Sequence, residues 1–516
     1  MSKKVAGCLG GIILLTLVIR LYFLHLSDII LPDESLYIFM SKNMLQGKAI
    51  YSGPFDLTYR QPWISVMFSW VLAFGKNPVL SCRLLSLLIG TLTLIPFHLC
   101  ARFFASDREV LWSDLIYALS SFSILSSIWA LPHAVYNLIS ILLFMCVAML
   151  YRSGRMIWAV SAGVAAALAY MTRVEGLIFA LIVAFCGVAF NRPRGEPKRK
   201  GFKIYVLLAF TAAFLIFVFP FWLHLKSQTG LWRLSWTQGK GLAEFIAQLW
   251  RPVSELNDQT LVLQGKEIFF QHLREGASVY LKNLASIYSA YLPRLLPVVV
   301  WIFVAFGAIK VALRNQEDRR MIRLLIPFIA FPFMFYPLIH VEDRYLFPAL
   351  IFVIIFSGVG INWLYNKILL LGFANEKVLL LGFGFALILL FVPDWYTMAA
   401  VFREEPAEQK KMGEWIRTHE SNPRVILGTD KRVCFYAGEA CKKMVRMTKT
   451  ATAAQFAESL RRDGIDLVVA DSRYISKYHP TYRFLIDPTS VEGVEAIAQF
   501  TQNGEKIILY RVRNGL

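Results

Sequence analysis

Long apolar runs alternate with short polar connections along this chain, and the lysines and arginines crowd into every second connection. A run of about 20 apolar residues satisfies its backbone within lipid only as a helix. The runs predict about eleven membrane helices, over 5–26, 79–101, 110–130, 133–150, 156–172, 176–190, 204–224, 292–311, 321–339, 345–364 and 378–396. The shorter run 63–74, after Pro62, predicts an interfacial helix. A composition that is 57% hydrophobic and 17% charged, with mean hydropathy +0.52, fits a multi-pass α-helical membrane protein.

The charges give an orientation. Lys3 and Lys4, Arg102 and Arg108, Arg152 and Arg155, the basic stretch 191–203, the segment 310–323, and Lys367 with Lys377 form one set. By the positive-inside rule this set is cytoplasmic. The opposite set has mixed charge: 27–78, the turns at His133 and at Arg173–Glu175, 225–290, "HVEDRY" at 340–345, and everything after about 397. It is expected on the periplasmic or extracellular face of the inner (plasma) membrane, with the N-terminus in the cytoplasm. The first apolar run is too long for a signal-peptide core, and no small-residue cleavage site follows it.

The net charge of +19 is accounted for by these cytoplasmic ends, so it gives no reason to expect a nucleic-acid partner. The seven cysteines show no metal spacing. Cys8, Cys82, Cys100, Cys146 and Cys186 fall in or near apolar runs; Cys434 and Cys441, in the polar tail, read equally as a disulfide or as a reduced pair. No P-loop and no dinucleotide fingerprint occurs. Group transfer on the outer face therefore requires an activated donor that reaches that leaflet, and a lipid-linked donor fits.

On that face "LPDESLYIF" places Asp33 and Glu34 just beyond the first span. A carboxylate there can act as general base toward an acceptor hydroxyl or amine. The same acids, behind Pro32, also suit a helix N-terminus, and the two roles are compatible. A lipid phosphate leaving group calls for cations: Arg60, Arg83, Arg173 and Arg344, with Arg20 inside the first span. Arg20 and Arg83 read equally as snorkelling anchors, His133 as an interfacial residue, and Glu175 as the ion-pair partner of Arg173. His340, Glu342 and Asp343 match no strong metal motif. Trp232, Trp236 and Trp250, among basic residues, suggest an amphipathic segment on anionic headgroups.

The run "PDESLYIFMSKNMLQGK", then "YRQPWISVMFSWVLAFGKNPVLSCRLLSLLIGTLTLIPFHLCARFF", "MTRVEGLIF" and "DRYLFPAL" together resemble the GT-C superfamily of integral-membrane glycosyltransferases. The likeness is to its bacterial branch of protein O-mannosyltransferases and lipid A aminoarabinose transferases. It covers residues 5–190, and 321–364 more loosely. It implies a polyprenyl-phosphate monosaccharide donor, an inverting single displacement, and an acceptor that is a lipid, a protein or a glycan. By the same resemblance Asp33 is the catalytic carboxylate, supported by Glu34. Arg60 and Arg344 hold the lipid phosphate, with Arg83, Arg173, Tyr37, Tyr345 and His133 lining the substrate site. If a divalent metal takes part, Asp33, Glu34, Glu342 and Asp343 are its candidate ligands. One departure stands out: relatives carry an acid in the turn that here reads "ALPHAVYN", with His133.

Domains are expected at 1–398, a membrane module whose first outer loop is 27–78, and at 399–516. The tail predicts a small α/β domain: an amphipathic helix in "REEPAEQKKMGEWIRTHE", strands in "RVILGTD", "IDLVVADSR" and "EKIILYRVR", and a helix closed by Gly464. Acceptor recognition or stabilisation is its expected role. Three readings compete with the enzyme: a carrier of polyprenyl-linked glycans, a polysaccharide polymerase or ligase, and a non-catalytic scaffold displaying the tail.

Overall fold

In the computed structural model the description covers the chain except residues 1, 51–52, 55–59, 191–201, 231, 233–272, 315, 336, 338–342, 373–374, 404–405, 448–455, 457, 459, 461, 487–492 and 514–516. Trp236, Trp250, His340 and Glu342 lie outside the described residues, as do the side chains of Cys186 and Asp343. The chain divides into two compact units. One comprises Met1–Leu24, Tyr59–Ile64 and Cys82–Met398; the other comprises His25–Thr58, Ser65–Ser81 and Ala399–Leu516.

The first unit is helical. Its helices include α1 (Lys3–Leu26) and, beyond α2 (Pro32–Leu45) and α3 (Trp63–Leu72) of the loop, α4 (Pro78–Leu92), α5 (Leu94–Ala101), α6 (Asp107–Leu119), α7 (Ser121–Ile128), α8 (His133–Ser153), α9 (Met156–Thr172), α10 (Gly176–Phe190) and α11 (Phe202–Thr229). Later helices span Val298–Ala312, Gln316–Phe335, Asp343–Leu370 and Glu376–Arg403. Among the described residues six helices are long and apolar enough to cross a membrane, or up to eight when two bent pairs each count as one span. This is fewer than the expected eleven: α9, with 17 residues, and α10, with 15, are short for a span, and Gln316–Phe335 opens with a charged turn. Leu14, Val18, Leu208 and Ile216 stand exposed on α1 and α11, a cost in water that lipid removes.

The predicted single helix over 110–130 breaks at Ser120, whose backbone is extended, and bends by 57°. Arg20 packs beside this break. It is fully buried and donates to Thr91 Oγ1 at 3.2 Å, Ser123 Oγ at 3.1 Å and the Ser123 carbonyl at 3.3 Å, over the Tyr117 ring. Arg20 is therefore no snorkelling anchor; it ties α1 to α4 and α7. Arg83 is likewise buried. A second pair unmarked by any motif, His98 and Asp114, meets at 2.7 Å with no exposure on either side chain.

Close helix approach in lipid depends on small residues. A Cβ on Gly307 would strike the Phe356 carbonyl, and one on Gly360 the Phe303 carbonyl. Gly307→Val is expected to destabilise the first unit by about 1–3 kcal/mol through overpacking, read as a lower midpoint in detergent thermal unfolding; an unchanged midpoint contradicts the crossing described.

In the second unit the tail forms a five-stranded sheet in the order β2-β1-β3-β5-β4. The strands are β1 (Arg424–Gly428), β2 (Cys441–Arg446), β3 (Leu467–Asp471), β4 (Val494–Gln502) and β5 (Glu505–Val512). β1 pairs in parallel with β2 and β3, while β5 pairs antiparallel with β3 and β4. β3 is buried throughout, as a central strand must be. Its neighbours in the core include Leu427, Phe456, Leu460, Ile508 and Tyr510. Cys434 and Cys441 form a disulfide.

Candidate active site

Two arrangements hold the residues singled out in the sequence, one in each unit. In the first unit they gather around His133, at the start of α8 and buried. The extended Arg173 ends α9 and swings its guanidinium back. It donates through Nε at 3.3 Å and NH2 at 2.9 Å to the two oxygens of Glu175, a fork-to-fork pair. Its NH1 lies 3.1 Å from His133 Nδ1. A guanidinium only donates, so Nδ1 accepts and the ring proton sits on Nε2.

Aromatic faces complete the setting. Arg173 lies 5.7 Å from the Tyr136 ring centroid and 5.1 Å from that of Tyr345, and Arg344 is 5.8 Å from the latter. Phe347 meets His133 edge-on at 5.6 Å. Arg344 and Arg60 also act electrostatically on His133, and Arg344 on Glu175. Three guanidiniums thus act on His133, and Glu175 is the counter-charge paired with Arg173; a cluster of this kind suits an anion such as a phosphate ester.

Burial pushes the Glu175 carboxyl up, but the Arg173 charge and hydrogen bonds outweigh it and hold the group below its ordinary value. The Glu175 contribution to stability is therefore complete above the unfolded value of about 4.3 and drains away as pH falls through the lower folded value. Glu175→Gln is expected to flatten the acid limb of the unfolding profile and leave the profile above pH 6 parallel to wild type, checked by thermal unfolding from about pH 3 to 8; an unaltered acid limb counts against the pairing. Tyr136 and Phe347 carry no motif. Only the helical offset of Tyr136, one turn past His133, could have marked it.

In the second unit α2 begins at Pro32, and Asp33 sits half-buried in its first turn. Glu34 is buried and accepts the Leu31 N–H at 2.7 Å, reaching back to hold the helix entry. Tyr37 is buried, and its carbonyl takes the Ser41 and Ser65 hydroxyls at 2.6 and 3.4 Å. Of the two adjacent acids, Glu34 thus performs the capping role and Asp33 occupies the more open position. Among the described residues no group of three His, Cys, Asp or Glu side chains is placed to hold a metal ion.

No family model and no curated protein sequence matches the chain. Solved structures do. ArnT of Cupriavidus metallidurans in the apo state aligns over 99% of this chain and 99% of its own, with a TM-score of 0.60 and 12% identity. The fold is that of the GT-C glycosyltransferases. ArnT bound to undecaprenyl phosphate aligns over 98% of each chain, with a TM-score of 0.59 and 11% identity. The oligosaccharyltransferase of Archaeoglobus fulgidus aligns over 91% of this chain and 70% of its own, with a TM-score of 0.58 and 13% identity.

Proposed function

We propose that this GT-C chain is a glycosyltransferase that moves one monosaccharide from a polyprenyl-phosphate donor to an acceptor on the periplasmic or extracellular face of the plasma membrane. The observation that carries the reading is the group of three arginines around His133 in a chain with this fold. The acceptor is a lipid, a protein or a glycan. Arg60, Arg344 and Arg173 receive the lipid phosphate, with Tyr345 and His133 beside it. Arg83 and Tyr37 also line the substrate site.

The Asp33 carboxylate takes the proton of the acceptor hydroxyl or amine as that atom attacks the anomeric carbon. The bond from carbon to phosphate oxygen breaks, the sugar inverts, and the phosphate monoester departs on its lipid with its charge held by guanidiniums. Glu34 supports Asp33 by fixing the helix entry. A divalent ion, if one is used, would draw on Asp33, Glu34, Glu342 and Asp343. The Cys434–Cys441 disulfide agrees with a tail outside the cytoplasm.

A carrier of polyprenyl-linked glycans is the second reading, because transporters use broken helices and two bent pairs occur among the described residues, at 57° and 104°. Adding undecaprenyl phosphate to the purified protein separates charge recognition from lipid solvation. It is expected to raise the unfolding midpoint, and neutral undecaprenol at the same concentration is not; equal effects contradict a phosphate site. Release of a new covalent glycoconjugate then distinguishes the enzyme from a carrier.

A further inference from the structure

The tail reaches back to the acidic helix. Within the second unit the Ile30 N–H donates to the Tyr436 hydroxyl at 3.0 Å, one residue before the amide that Glu34 holds. Phe435 meets Phe39 edge-on at 5.7 Å, and the Lys42 ammonium lies 5.5 Å from the Phe435 ring centroid. Lys410 pairs with Asp28 at 2.9 Å, and the Met444 N–H donates to the Pro54 carbonyl at 2.6 Å. Three elements of the tail, through Lys410, Phe435 with Tyr436, and Met444, thus touch the first outer loop on both sides of Asp33.

The short helix Lys431–Ala437, which carries Phe435 and Tyr436, is itself fastened at both ends. At its start Asp430 accepts the Arg432 amide at 2.8 Å and the Arg432 guanidinium at 2.7 and 3.0 Å, and Arg432 also donates to the Tyr474 hydroxyl at 3.0 Å. Toward its end the disulfide joins Cys434 to Cys441, the first residue of β2. Neither an acceptor-recognition module nor a passive appendage requires a fastened helix whose two outward aromatics are spent on the loop.

We infer that the tail is a positioning device for the acidic helix: Tyr436 is a positioning residue that sets the entry of α2, and with it Asp33, and the Cys434–Cys441 disulfide keeps the Tyr436 helix in register. The inference rests on the reading of Asp33 as the catalytic carboxylate. It assigns Tyr436, Phe435 and the two cysteines a role in the rate of transfer and none in holding donor.

The test uses the full chain in vesicles. Tyr436→Phe removes one acceptor oxygen and keeps the ring. Hydrogen exchange at the Ile30 amide should rise roughly two- to tenfold, the worth of one hydrogen bond. The rate at which membrane acceptors gain sugar should fall by a similar factor, while affinity for undecaprenyl phosphate stays within about twofold. Cys434→Ser with Cys441→Ser should raise exchange and lower the rate by larger factors, again with affinity for undecaprenyl phosphate within about twofold. An Ile30 amide, or a transfer rate, left at the wild-type value in Tyr436→Phe overturns the inference, as does a parallel loss of lipid-phosphate affinity. Adding Tyr436→Phe to Asp33→Asn should still raise exchange without lowering transfer further. Full transfer by Asp33→Asn alone would remove the catalytic reading, and the exchange result would still report on the grip.

Discussion

Replacing Asp33 with Asn is expected to lower sugar transfer by about 10²–10⁴-fold, the range a positioned general base supplies. The change keeps shape and removes the proton acceptor. Folding should persist, because the entry of α2 is held by Glu34 through the Leu31 amide and by Tyr436 through the Ile30 amide. Glu34→Gln makes the converse prediction: a loss of about 0.5–2 kcal/mol in stability from the weakened cap, with a smaller effect on rate. Initial rates measured in membranes at matched protein levels check both. A faster decline with Glu34→Gln than with Asp33→Asn would exchange the roles of the two acids.

Removing a guanidinium from the first unit should act on the donor. Arg344→Ala is expected to weaken the binding of undecaprenyl phosphate by about 10–150-fold, the value of one hydrogen bond to a charged group. The rate at saturating donor should also fall if the contact strengthens as the phosphate leaves. Arg173 is already engaged by both oxygens of Glu175 and by His133. Arg173→Ala should therefore lower stability together with binding. Titration of the purified variants with the lipid phosphate, alongside their unfolding midpoints, measures both effects. Wild-type affinity in Arg344→Ala would remove that residue from the phosphate site.

The sequence carried the helices well, because a long apolar run has one solution in lipid. The predicted 156–172 run is α9, and the predicted 176–190 run is α10. What it could not carry was the interruption at Ser120, since a serine inside an apolar run signals nothing until Arg20 packs beside it. The tail strands β1, β3 and β5 followed from apolar runs. β4 was missed although Asn503 and Gly504, both at positive φ, form the turn of its hairpin with β5; it has no apolar run, and its residues are mostly exposed or half-buried.

The candidate site was legible in its parts. Arg173 and Glu175 stood two residues apart, and the structure pairs them. That the residues around His133 come from four distant stretches of chain is a tertiary fact without local signal. So is the grip of Tyr436 on Ile30, across 406 residues. The disulfide, left open by the sequence, is formed.

Comparing the glycolipids and glycoproteins of cells that contain the protein with those of cells that lack it, by mass spectrometry, tests the central claim most directly. A single class of conjugate should lose the mass of one monosaccharide when the protein is absent. It should regain that mass with the wild-type chain and stay deficient with an Asp33→Asn chain inserted at the same level. Identical profiles with and without the protein, or full restoration by Asp33→Asn, would contradict the account.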